Sequence, residues 1–199
     1  KAELRSLRQF GVYSVQKIPA GATLVQTKWV YKVKEDCNGK IEKYKARLVM
    51  KGFTQKAGVH YHATFAPVAK IATVRALLAV SAQANLHLNQ LDFTCAYLHS
   101  DLKEDLWCKP PPGVTCKPGF AWKLHKCCYG LKQSGREWYR TLDAALRRYG
   151  LRRTTSDPCL YVRRNAKNPS QLVLLLVYVD DVILAHNWPE AVTKLKVSL

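Results

Sequence analysis

Two adjacent aspartates, Asp180 and Asp181, sit inside an otherwise apolar run, Leu174 to Ala185 (LLLVYVDDVILA). The flanking segments are rich in Leu, Val and Ile and have the length of strands. If they pair as a hairpin around Tyr178-Val179-Asp180-Asp181, both carboxylates fall at its tip. Like charges so close oppose each other's ionisation, and a bound divalent cation relieves that repulsion. The plain alternative is a polar turn, because hairpin turns favour Asp.

A further carboxylate sharpens the choice. Asp92 ends an alternating stretch, Leu86 to Asp92 (LHLNQLD), that reads as a strand and leads into an aromatic-rich turn, Phe93 to Tyr97. Taken alone, Asp92 reads as a helix N-cap. Hard cations, however, take several oxygen ligands, and carboxylates from different strands can converge on one site. Phosphoryl transfer with two magnesium ions about 3.5–4 Å apart needs such a cage.

Elsewhere the periodicity is clear. Lys28 to Lys34 (KWVYKVK) alternates as a strand, Asp36-Cys37-Asn38-Gly39 supplies a turn, and Ile41 to Met50 returns as a second strand. Lys43, Lys45 and Arg47 share one face of that strand, with Tyr44, Ala46, Leu48 and Met50 on the other. Ile71 to Ala84 has helical spacing at Val74, Leu77, Leu78 and Ser81. Lys109 to Phe120 holds four of the nine prolines and reads as a loop. Ser134 opens a helix, with Glu137 completing a capping box, Trp138, Leu142, Ala145, Leu146 and Tyr149 as its stripe, and Gly150 ending it. Strands and helices do not alternate strictly, which favours α+β over a doubly wound sheet.

Charge narrows the partners. The 199 residues carry 32 Lys and Arg against 14 Asp and Glu, a formal +18, in a composition that is 48% hydrophobic and globular. Self-repulsion on that scale points to a polyanion, most commonly nucleic acid, with a merely cationic surface as the plain alternative. Seven scattered cysteines with no preceding signal peptide indicate free thiols inside a cell. Cys108, Cys116, His125, Cys127 and Cys128 include no CxxC pair, which argues against a zinc site. No apolar run is long enough to span a bilayer, so no membrane partner is expected. The chain starts on Lys1 and stops at Leu199 within a helix-like segment, Pro189 to Leu199, so it reads as a piece of a longer polyprotein.

The blocks KWVYKVK, YKARLVMKGFTQ, TFAPVAKIATVRALLAVSAQ, QLDFTCAYLHSDL, CCYGLKQSGREWY, SDPCLYV and YVDD resemble the copia-type LTR retrotransposon reverse transcriptase, in that family's order from about Thr27 to Ala185. The resemblance implies a right-hand polymerase fold without its thumb, with a mostly antiparallel palm sheet backed by helices. It places fingers at about 1–84 and 106–133 and palm at about 85–105 and 134–199, in one domain fragment spanning 1–199. It makes Asp92, Asp180 and Asp181 the catalytic carboxylates, holding two Mg2+ ions, for which Mn2+ substitutes. Arg47 matches the family's triphosphate-contacting arginine. Tyr97 matches the aromatic that excludes a ribose 2′-hydroxyl, with a core aromatic as the alternative. Gly130 matches a glycine where backbone approaches template and nucleotide, flanked by Tyr129 and Lys132. Lys43, Lys45, Tyr178 and Gln133 are expected at template or primer, although a solvated strand face also explains the lysines.

The implied reaction is RNA-directed, and secondarily DNA-directed, DNA synthesis from deoxynucleoside triphosphates. The implied neighbours are an integrase before this region and a ribonuclease H after it, and the implied location is a cytoplasmic virus-like particle and the nucleus. Departures from the family pattern include LDFTCAYLHS for LDVKTAFLNG, Ser134-Gly135 for Ser-Pro, and Cys127-Cys128 for Ser-Leu. They leave every carboxylate in place. A decayed, non-catalytic nucleic-acid binder is the rival reading. A basic metal-dependent nuclease would explain neither YKARLV nor Tyr97.

Overall fold

The computed structural model describes residues 2–198, so Lys1 and Leu199, the ends of the expected boundaries, lie outside it. In chain order the elements are α1 Ala2–Gln9, β1 Tyr13–Lys17, β2 Leu24–Val25, β3 Thr27–Glu35, β4 Ile41–Met50, α2 Ile71–Gln83, β5 His87–Asp92 and β6 Asp101–Cys108. They continue as β7 Phe120–Lys126, α3 Ser134–Arg148, β8 Arg152–Arg153, β9 Leu160–Arg164, β10 Leu172–Tyr178, β11 Asp181–His186 and α4 Pro189–Ser198. The chain is thus mixed α and β, and all strand pairs but one are antiparallel among the described residues. No helix among them is long and apolar enough to cross a membrane.

Two compact units divide the chain: Lys1–Phe65 with Tyr97–Trp138, and Ala66–Ala96 with Tyr139–Leu199. These breaks differ from the expected ones. Helix α2 belongs to the second unit rather than the first, and residues 97–105 belong to the first.

The first unit holds a sheet ordered β1-β7-β6-β2 and a separate ribbon, β3-β4. Tyr13 stacks flat on Trp122, with ring centroids 3.6 Å apart. The ribbon turns where expected: the Asp36 carboxylate accepts the Asn38 and Lys40 N–H groups at 2.9 Å, and Gly39 takes φ +76. Only glycine enters that region without steric cost. Helix α3 begins at Ser134, so the N-cap position falls on Gln133, one residue ahead of the expected cap. Its first backbone bond runs from Glu137 N–H to the Gln133 carbonyl, and the Ser134 hydroxyl donates to the Cys128 carbonyl at 2.6 Å.

The second unit is built on a sheet ordered β5-β11-β10-β9-β8. Leu175, Leu176 and Val177 of β10 and Val182, Leu184 and Ala185 of β11 are each at most 3% exposed, so both strands bury residues on both faces. That is why their sequence reads as a continuous apolar run rather than an alternation. Leu176, Ala185 and Cys159 cluster with Leu77 of α2 on one face. Each fully buried aliphatic side chain contributes about 1.5–3 kcal/mol.

One buried charge fixes the start of α2. Lys70, its N-cap, makes no side-chain cap of its own. Instead Asp157, 1% exposed, accepts the Lys70 N–H at 3.1 Å, the Thr73 hydroxyl at 2.6 Å and the Cys159 N–H at 2.9 Å. Burial alone would raise its pKa. The three hydrogen bonds and the Lys70 charge outweigh burial and hold it below the ordinary value.

Candidate active site

Asp92 is the last residue of β5 and Asp181 the first of β11, and the antiparallel register sets them directly opposite each other. Directly opposed side chains share a sheet face with Cβ atoms about 4.5–5.5 Å apart. Both aspartates are exposed, and Asp180 is half-buried. The Phe93 N–H donates to the Asp180 carbonyl at 3.0 Å, tying the turn to the end of β5. Gln90 donates its side-chain amide to the Asp181 carboxylate at 3.4 Å.

The turn itself is strained. Tyr178 pairs with Asp181, leaving Val179 and Asp180 as a two-residue loop. Val179 has φ +58, and Asp180 does not share that region. Positive φ at the first loop position alone is the sign pattern of a type II′ turn, a place that favours glycine. A β-branched residue there costs on the order of 1–3 kcal/mol and persists only where its surroundings over-determine it. Here the surroundings are three bonded strands. Such strain gathers at functional sites. The sequence carries a signal for it, a valine where a tight hairpin wants glycine.

Among the described residues no three His, Cys, Asp or Glu side chains are gathered into one metal-binding group. The donors nonetheless suit a hard cation. Magnesium is typically held by one or two carboxylates plus substrate phosphates and waters, rather than by an all-protein cage. Two opposed, exposed carboxylates meet that requirement.

In the first unit several of the expected nucleotide-binding residues come together. The Arg47 guanidinium lies over the Tyr129 ring, 4.6 Å from its centroid. Tyr97 meets Tyr129 edge to face at 4.9 Å and 72°. Gly130 adopts φ +89, and a side-chain carbon built there would collide with the Met50 carbonyl. The close approach at Gly130 is therefore to β4 of its own chain. Lys132 directs its ammonium toward the Tyr61 ring, 5.4 Å from the centroid. Tyr178, in the second unit, is 53% exposed.

Gln133 differs from expectation. It is wholly buried; its carbonyl accepts from the Gln55 amide at 2.9 Å, and its amide donates to the His60 carbonyl at 2.9 Å and to Glu104 at 3.2 Å. Gln55 in turn accepts the Lys132 backbone N–H at 2.8 Å. A side chain so enclosed supports the loop from beneath and offers no surface to a template. Gln55, inside the YKARLVMKGFTQ block, was not singled out because nothing local marks its partner 78 residues away.

The ribbon carries cations as expected, with an added feature. Lys45 stands directly opposite Lys32, and Lys43 directly opposite Lys34. Like charges so placed destabilise a sheet. Burial pushes the Cys108 and Cys127 thiols up to about 12, which keeps them neutral.

Asp181 at the base of the strained hairpin, set opposite Asp92 on the neighbouring strand, is a pair of oxygen donors of the kind that suits a hard cation. Comparison with known proteins is more specific. The family described as reverse transcriptase (RNA-dependent DNA polymerase) matches residues 10–199, and the chain belongs to that family. It is 39% identical over 196 residues to the retrovirus-related Pol polyprotein from transposon TNT 1-94 of Nicotiana tabacum, covering 98% of this chain and 15% of that protein. It is 38% identical over 173 residues to the Pol polyprotein from transposon RE1 of Arabidopsis thaliana, covering 86% and 12%. With the transposon Ty1-BL Gag-Pol polyprotein of Saccharomyces cerevisiae it shares 32% identity over 142 residues, covering 71% and 8%. The chain is a copia-type reverse transcriptase region, by family an RNA-directed DNA polymerase, and it spans 15% or less of the length of these relatives.

Proposed function

We propose that this chain carries the nucleotidyl-transfer centre of template-directed DNA synthesis, copying RNA and secondarily DNA from a primer 3′-hydroxyl. The observation that carries this reading is the cross-strand pair Asp92 and Asp181, with Asp180 held in the strained loop beside them. Asp92, Asp180 and Asp181 would hold two magnesium ions, with manganese able to substitute. When bound, those ions neutralise charge on the attacking and leaving oxygens. The rest falls to the chain. The carboxylates supply fixed oxygen donors on rigid strands, so positioning rather than covalent chemistry is their task.

Arg47 grips the nucleotide triphosphate, and its stacking on Tyr129 presets the guanidinium so that less side-chain freedom is lost on binding. Tyr97 closes off space beneath the sugar. Gly130 and Lys132 shape the nucleotide-binding loop, which Gln133 and Gln55 support from below. Lys43, Lys45 and Tyr178 meet template or primer. In this reading the first unit serves as fingers and the second as palm of a right-hand polymerase. Integrase and ribonuclease H neighbours, a virus-like particle and a nuclear stage belong to the parent polyprotein.

Tyr97 gives the test. In a polyprotein segment that includes this chain, Tyr97→Val should raise ribonucleotide incorporation relative to deoxyribonucleotide while activity still requires Asp92 and Asp180. A tyrosine that only packs would cost stability and lower both activities together. The ratio of the two nucleotide efficiencies separates the cases, because a stability loss largely cancels in it. An unchanged ratio with reduced total activity removes Tyr97 from the nucleotide site.

A further inference from the structure

The two strands that bear Asp92 and Asp181 bear a second opposed pair at their far ends. His87 and His186 face each other in register, with ring centroids 5.7 Å apart and planes inclined by 41°. Five residues of strand, at about 3.4 Å each, separate this pair from the carboxylates by about 17 Å. His87 is exposed, whereas His186 is only 6% exposed.

The proton on His186 can be placed from its neighbours. The Lys196 ammonium lies 3.3 Å from Asn89 Oδ1, and an ammonium has no lone pair, so that atom must be the amide oxygen. His186 Nε2 lies 3.2 Å from the same oxygen and therefore carries the proton it donates. In the neutral ring Nδ1 is then a bare lone pair. It is buried, with no hydrogen-bond partner among the described residues. Burial, together with the nearby His87 and Lys196, lowers the His186 pKa and keeps the ring in that neutral form.

We propose that His87 and His186 form a binding site for a borderline transition-metal ion of the Zn2+, Ni2+ or Cu2+ class, held by His186 Nδ1 and one nitrogen of His87, with water completing the coordination. Three features support it. Two imidazoles bound to one ion through bonds of about 2.0–2.1 Å place their ring centres about 5–6 Å apart, which matches the observed spacing. Neutral imidazole nitrogens select these ions over magnesium, which takes oxygen. The outer contact is also in place: a metal-binding histidine donates its other N–H to an oxygen, as His186 does to Asn89. The ion clips β5 to β11 and takes no part in the carboxylate chemistry.

The test is a ZnCl2 titration of the reduced chain, read by histidine nitrogen NMR and by thermal unfolding. The expected result is a site of one ion per chain at which the His186 and His87 resonances shift together and the unfolding midpoint rises. His87→Ala, a change at an exposed position, should weaken that site about tenfold or more, while His62→Ala leaves it intact. Millimolar magnesium should not compete. No shift at His186, or equal affinity in His87→Ala, overturns the proposal and leaves Nδ1 to water or to the His87 N–H. Zinc held by thiols would shift cysteine and not His186 signals, which also counts against it.

Discussion

Val179 is where a single residue shows most about this chain. A β-branched side chain at φ +58 is costly, and the cost is tolerated because the same backbone places Asp180 in the loop and Asp181 opposite Asp92. Val179→Gly removes the steric cost but gives the unfolded chain more freedom to lose. Strain relief of about 1–3 kcal/mol outweighs that loss. The expected outcome is a stability gain of about 1 kcal/mol in denaturant unfolding, whereas Val15→Gly, on a regular strand, should destabilise. Equal losses at both positions would mean that the turn is unstrained.

At the scale of elements, Asp157 and the β3-β4 ribbon make opposite kinds of statement. Asp157 acts at a distance as the cap that Lys70 lacks, and Asp157→Ala leaves a part-buried donor at Lys70 and a buried one at Cys159 unpaired, so about 2–3 kcal/mol should be lost. Its folded pKa lies below the ordinary 3.8, so its stabilisation is present above about pH 4 and lost as pH falls through the folded value. Acid unfolding of wild type and Asp157→Ala should converge at low pH. A constant gap between them would show that the carboxylate's charge is irrelevant.

The ribbon instead holds opposed lysines at a cost to its own stability. Lys43→Glu should raise stability by about 0.2–1 kcal/mol by pairing with Lys34. The same change should weaken template–primer binding and make its logarithmic salt slope shallower by about 0.9. Reduced stability with unchanged binding would assign Lys43 a structural role.

Which elements could be read in advance follows from the same physics. The β3-β4 ribbon, α2, β5, α3 and the β10-β11 hairpin each carry a period or a turn within a dozen or so residues. The sheet ordered β1-β7-β6-β2 does not: Tyr13 pairs with Leu124 and Val15 with Trp122, more than a hundred residues away. Short strands such as YSVQK have no local signature strong enough to announce such partners. The opposition of Asp92 and Asp181 was legible only as two carboxylates at strand ends, because register is a tertiary property.

For the whole molecule, the formal charge of +18 and the lysine ladder support the proposed polyanion partner, and the paired aspartates support the proposed chemistry on it. On the proposed reading binding and chemistry are separable, because the cations would grip phosphate while the carboxylates would hold the metal ions. The most direct measurement is primer extension on an RNA template by a polyprotein segment that contains this chain, comparing wild type with Asp180→Asn and Asp92→Asn in magnesium. Each variant should keep its unfolding midpoint and its salt-sensitive template–primer binding, and each should lose extension by about a hundredfold or more. Wild-type extension in either variant, or no extension by the wild-type segment while it still binds template–primer, would contradict the catalytic reading and leave a nucleic-acid-binding relic.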